Sequence, residues 1–163
     1  MKIMISYFYQ IRNFTKNMIP MSTCLSDPTW YHDNQGENHI FKDKRGILNG
    51  LRLKPIIVHD WNCGCPCEEK NPNKCTFLKD YRELLNKIDF DKMYKGIENF
   101  AKRYKEENNI QEEIIMTLIV YETPSNPCSE RNALIDYFKT KGIEVEEFQP
   151  NRNIELKKGD FIF

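Results

Sequence analysis

The stretch "IIMTLIVY", residues 114–121, constrains this chain more than any other. It is apolar almost throughout, and it is too short for a typical buried helix. Such a run suits a strand covered on both faces, as in the middle of a parallel sheet. The residues behind it add a second constraint. "ETPSNP" breaks the run with turn formers. A helix is then expected with Asn126 as its cap and Pro127 at its first position, over residues 127–141, until Gly142 stops it. "IEVEEF", residues 143–148, reads as a further strand. Strand, helix and strand joined by short connections predict parallel strands with a right-handed crossover. The fold class predicted is α/β: a single domain over 1–163, its mainly parallel sheet flanked by helices in a Rossmann-like arrangement.

The rest of the chain fits this frame. Residues 2–10, "KIMISYFYQ", place Ile3, Ile5, Tyr7 and Tyr9 on one face of a strand. Residues 18–25 read as a second strand, with Pro20 near its start or at a sheet edge. The segment from Ser26 to His39 has turn formers and no period, so it reads as a loop, and Ile56 to Val58 as a short strand. Phe77, Tyr81, Leu84, Leu85 and Ile88 recur at helical spacing. Asp89 can cap a second helix striped by Met93, Ile97, Phe100, Ala101 and Tyr104. The closing "GDFIF" reads as an edge strand or a packing segment.

Composition narrows the function classes. Formal net charge is zero, which argues against a strong non-specific grip on nucleic acid. No run approaches the roughly 18–20 apolar residues of a membrane span, and the start carries no signal-peptide pattern. A cytoplasmic protein without a membrane partner is expected.

Four of the six cysteines fall within "CGCPCEEKNPNKC", residues 63–75. In a reducing compartment structural disulfides are rare. Thiolates are good zinc ligands, and a structural zinc takes four. Two ligand sets fit: Cys63, Cys65, Cys67 and Cys75, or His59 with Cys63, Cys67 and Cys75. Gly64 and Pro66 let the chain bend so that alternate thiols converge. The spacing is not that of a zinc ribbon, nor of a common ferredoxin run. The competing use is a Cys-rich insertion loop, residues 59–76, whose thiols pack as small hydrophobes. A zinc with four protein ligands would pin the loop and leave no open position for catalysis.

"YETPSNPCSER" carries the functional expectation. Ligands of open parallel sheets bind beyond the carboxyl ends of the strands. A helix N-terminus offers unpaired N–H groups and a favourable dipole to an anion, and the same field lowers a thiol pKa. Cys128, Ser129 and Arg131 are therefore candidates for an anion site, with Arg131 adding a charge-assisted contact. Glu122, at the strand end, is an acid or base candidate, as is Asp27 in the loop after the second strand. Arg12, Trp30 and Tyr31 come from strand ends expected at the same edge. Aromatics, an anion site and a carboxylate together suit a nucleotide-like ligand. Each residue also has a plain structural use: caps, a turn former before Pro28, core aromatics, a surface charge.

The order of "MIPMSTCLSDPTWY", "CGCPCEEKNPNKCTFLKDYRELLNKIDF" and "IVYETPSNPCSERNALIDYFKTKGIEVEEF" resembles the domain-of-unknown-function 488 family, in its branch common in Firmicutes and their phages. The resemblance covers residues 3–148. In that family a strand ends in Cys-x-Glu and a Cys-His-Arg triplet opens a helix. Glu122 matches the acid, Cys128 the thiol and Arg131 the arginine. No cysteine precedes Glu122 in the usual place, no histidine follows Cys128, and "STCLSDP" replaces the usual Asp-Val-Arg stretch. The resemblance implies an α/β character and supplies no activity.

Two functions follow. The first is a nucleotide- or nucleic-acid-related enzyme or binding protein, with Glu122, Cys128 and Asp27 as chemical groups and an anionic small molecule or nucleotide as ligand. Glycosidic-bond or phosphate chemistry would fit it. The second is a non-enzymatic protein-interaction module whose loop is stiffened by zinc.

Overall fold

The computed structural model describes residues 1–24 and 71–150. Its element order is β1 (Lys2–Tyr7), a 3-10 helix (Phe8–Asn13), β2 (Met18–Ser22), a 3-10 turn (Pro72–Lys74), α1 (Thr76–Asn86), α2 (Phe90–Glu107), β3 (Ile115–Val120), α3 (Arg131–Thr140) and β4 (Glu146–Glu147). Among the described residues, four strands form one all-parallel sheet in the order β2-β3-β1-β4. This is the α/β architecture expected from the sequence.

β3 holds an inner place for the reason its composition gives. Every residue from Met116 to Val120 is buried, and both its edges are paired. Ile3 to Tyr7 align with Met116 to Val120 on one side, and Met18 to Ser22 with Ile115 to Ile119 on the other. Alternation sends Met116, Leu118 and Val120 to one face. There they share the main core with Ile3, Ile5, Ile19 and Met21, with Leu78 and Leu85 of α1, Ile97 of α2 and Phe138 of α3. Ile119 points to the opposite face and packs with Phe8 and Ile11 of the 3-10 helix. Among the described residues β2 is an edge strand, where Pro20 removes no donor from an inner ladder. The strands after and before α3 are parallel as expected but not adjacent, because β1 lies between β3 and β4.

The helix limits follow local chemistry. Asp89 caps α2, its Oδ1 accepting from the Lys92 N–H at 3.2 Å. At the end of α3, Gly142 adopts φ 78°, and the N–H groups of Gly142 and Ile143 donate back to Lys139 and Phe138 carbonyls, each at 3.0 Å. Asn109, at φ 52°, closes α2 with the same pattern. β1 and β2 are shorter than expected, and β1 runs into the 3-10 helix that carries Tyr9 and Arg12.

One expectation is corrected. Asn126 and Pro127 do not open α3, which starts at Arg131. The Asn126 N–H donates to the Thr123 carbonyl at 3.1 Å, and the Ser129 N–H to the Asn126 carbonyl at 3.4 Å. The Asn126 side chain accepts from the Cys128 N–H at 3.0 Å. Asn and Pro here stabilise two successive turns, the alternative use of the residues that favour caps.

The expected strand at 56–58, the loop at 26–39 and the closing "GDFIF" lie outside the described residues. Among the described residues no helix is long and apolar enough to cross a membrane.

Two substitutions separate packing from polarity in this core. Phe138 is fully buried, so Phe138→Ala should cost about 3–5 kcal/mol in urea unfolding. Thr117 is equally buried, and its hydroxyl has no hydrogen-bond partner among the described residues. The near-isosteric Thr117→Val should therefore stabilise the fold by about 1 kcal/mol in the same experiment.

Candidate functional site at the carboxyl edge of the sheet

β1, β2 and β3 end side by side at Tyr7, Ser22 and Val120, and α3 starts beside this edge. Glu122 stands two residues beyond β3. Its Oε2 accepts from the Ser129 hydroxyl at 3.1 Å, and Ser129 Oγ accepts from the Arg131 N–H at 3.2 Å. A single serine thus ties the strand-end acid to the first residue of α3. Ser129 and Arg131 are both buried.

Arg131 is the unusual member. Its residue exposure is 5%, although arginine is almost never buried without full pairing. Nε donates to Glu147 Oε2 of β4 at 2.8 Å. The guanidinium carbon lies 5.9 Å from the ring centre of Tyr7 at the end of β1. Nη1, Nη2 and Glu147 Oε1 are buried and have no hydrogen-bond partner among the described residues. Only one of the five guanidinium N–H donors is therefore matched by a described group. Burial raises the Glu147 carboxyl above its ordinary value, against the lowering effect of Arg131.

Beside this pair lies a second carboxyl cluster. Glu130 is buried, and its carboxyl is pushed up to about 8, first by burial and then by the neighbouring Glu122 carboxyl. Glu122 is also its side-chain hydrogen-bond partner. Two carboxyls in contact share a proton more readily than both ionise. Tyr81 of α1 reaches the same place. Its hydroxyl is buried and has no hydrogen-bond partner among the described residues, and burial, Glu130 and Cys24 together raise its pKa. Cys24 follows β2 and is buried.

The mouth of α3 therefore differs from an empty anion cradle. The N–H groups of Cys128 and Arg131 donate to the side chains of Asn126 and Ser129. Cys128 is half-buried and lies in the turn before α3, so it does not occupy the helix's first turn. What the edge offers a ligand is side-chain chemistry: a guanidinium with two unmatched nitrogens, and a carboxyl pair that holds a proton.

Of the residues singled out in the sequence, the structure brings Glu122, Ser129 and Arg131 together, with Cys128 in the adjoining turn. Arg12 lies on the 3-10 helix, its guanidinium 4.5 Å above the Tyr9 ring. Cys75 is buried in the main core immediately before α1. Asp27, Trp30, Tyr31, His59, Cys63, Cys65 and Cys67 lie outside the described residues. Among the described residues, no three His, Cys, Asp or Glu side chains gather as a metal site. Sequence reasoning missed Glu130, Glu147, Tyr7 and Tyr81. Glu130 was legible as a carboxylate beside Arg131, but its side chain reads as a helix-dipole partner until Glu122 is seen to face it. Comparison with known proteins finds no matching family model, no matching curated protein and no matching solved structure.

The raised Glu130 carboxyl sets a pH dependence. A folded-state pKa near 8 against an ordinary 4.5 gives stability that is complete below pH 4.5 and is lost as pH rises to about 8. Urea midpoints measured from pH 5 to pH 8 should fall across this window. Glu130→Gln should flatten the profile and raise the midpoint at pH 8.

Proposed function

We propose that this protein binds a nucleotide-like small molecule at the carboxyl edge of its sheet and acts on it by acid–base chemistry. The observation that carries the reading is Arg131, a buried guanidinium with Nη1 and Nη2 unmatched. A buried charge with unmet donors is costly, and a ligand that supplies acceptors relieves that cost. Its position agrees with the place where open parallel sheets hold their ligands.

The Glu122–Glu130 pair provides the chemistry. Glu130 holds a proton near neutral pH and lies against a second carboxyl, Glu122, an arrangement suited to general acid–base work. Ser129 fixes the orientation of Glu122. The resemblance to the domain-of-unknown-function 488 family supports joining Glu122, Cys128 and Arg131 in one site. Cys128, at the rim, is assigned to ligand contact or nucleophilic chemistry. Glycosidic-bond and phosphate-ester cleavage are the reaction classes this set serves.

A thermal-shift screen of the full chain with nucleosides, nucleotides and short DNA tests the reading. At least one of them should raise the melting temperature, and Arg131→Gln should abolish that rise. Loss of the arginine leaves Glu147 half-buried without its cation, so the variant itself should melt lower, by the equivalent of about 3 kcal/mol. No shift with any nucleotide-like ligand overturns the proposal.

A further inference from the structure

The same edge of the sheet holds a second device, which works whether or not a ligand binds there. Residues 123–128 run between Glu122 and Ser129, and every one of them is exposed or half-buried. The hydrogen bonds described for them stay within the segment. The Asn126 N–H donates to the Thr123 carbonyl, the Cys128 N–H donates to the Asn126 side chain, and the Thr123 and Ser125 hydroxyls pair at 2.7 Å. A chain of side chains ties the two ends of the segment together. Glu130 is hydrogen-bonded to Glu122, Glu122 Oε2 accepts from the Ser129 hydroxyl at 3.1 Å, and Ser129 Oγ accepts from the Arg131 N–H at 3.2 Å.

One proton decides whether that chain is complete. Two carboxyls bond to each other only while one of them keeps its proton, because an ionised carboxylate has no donor. Glu130 is the buried member, 7% exposed, and Glu122 is half-buried. Among the described residues, the groups that face Glu130 are Glu122 beyond β3, Tyr81 on α1, with Cys24 near that hydroxyl, and Arg131 on α3. Arg131 is the single cation of the set, and its Nε is already bonded to Glu147. Once the proton leaves to solvent, two carboxylates are in contact and repel each other. Glu122 already reaches water and can turn further into it, whereas Glu130 is enclosed. The departure of Glu122 takes the acceptor away from the Ser129 hydroxyl.

We propose that Glu130, Glu122 and Ser129 form a proton-operated latch on the 123–128 segment, closed while the two carboxyls share a proton and open, with Glu122 turned to solvent, once it is lost. Opening is local, because β3 keeps a strand partner on each side and α3 keeps its packing on the core. The Glu130 carboxyl, pushed up to about 8, sets the changeover just above neutral pH. The segment so released carries Cys128, and the latch therefore governs how firmly that thiol is held at the edge of the sheet.

Hydrogen–deuterium exchange of the full chain tests the latch. It is read by mass spectrometry on peptides covering residues 121–131, with labelling times corrected for the intrinsic effect of pH. Protection there should fall by about tenfold or more between about pH 6 and about pH 9, while peptides from β3 and α2 keep theirs. Glu130→Gln, which offers Glu122 a neutral donor, should hold the segment protected at both values. Ser129→Ala should show at the lower pH the weak protection that the unaltered chain reaches at the higher. Protection of residues 121–131 that survives at the higher pH in the unaltered chain overturns the latch, as does an equal loss in Glu130→Gln. An equal loss across β3 and α2 also overturns it, because that is general unfolding. Should Glu130→Gln not fold, Ser129→Ala decides, and full protection of its segment at the lower pH overturns the proposal. No ligand enters these measurements, so their failure leaves the nucleotide reading to its own thermal-shift test.

Discussion

The backbone of β3 must find hydrogen-bond partners on two sides while its side chains are buried on two faces. A peptide group left unpaired in such surroundings costs free energy comparable to a lost hydrogen bond. The strand therefore needs a neighbour on each edge and a cover on each face. β1 and β2 meet the first need, and the α-helical layer with the 3-10 helix meets the second. The other described elements can be understood as ways of satisfying this one strand. The edge where three strands stop together is a by-product of the same demand.

At that edge, among the described residues, the chain buries ionisable groups. It buries a guanidinium, the Glu130 carboxyl and a tyrosine hydroxyl in one neighbourhood, with the half-buried Glu122 and Glu147 beside them. Ser129 and Glu147 compensate part of the cost by fixed hydrogen bonds. The uncompensated remainder lies on named atoms, Nη1 and Nη2 of Arg131, Oε1 of Glu147 and the hydroxyl of Tyr81. Perturbed ionisable groups of this kind gather more often at functional sites than elsewhere, which is why this edge carries the proposed function.

The sequence exposed the architecture through period. The apolar run of β3, the stripes of α1 and α2, the cap at Asp89 and the stop at Gly142 could all be read because each depends on neighbours within a few residues. The start of α3 could not. Asn126, Pro127 and Ser129 suit a cap and a turn equally, and tertiary contacts to Glu122 and Arg131 decide between them. The site was half legible for a related reason. Glu122, Ser129 and Arg131 are close in sequence, so a strand-end argument finds them. Tyr7, Tyr81 and Glu147 come from three other elements, and only the crossing of β4 beyond β1 brings Glu147 to Arg131.

That crossing orders events in time. β4 consists of two residues, and its strand partner is β1, the earliest strand of the chain. Such a short edge gains nothing until β1 is already seated beside β3, so contacts of long sequence separation must come first. The clasp on the guanidinium therefore depends on β1 being in place. Any form of the chain in which β4 is not seated leaves Arg131 without the Glu147 counter-charge.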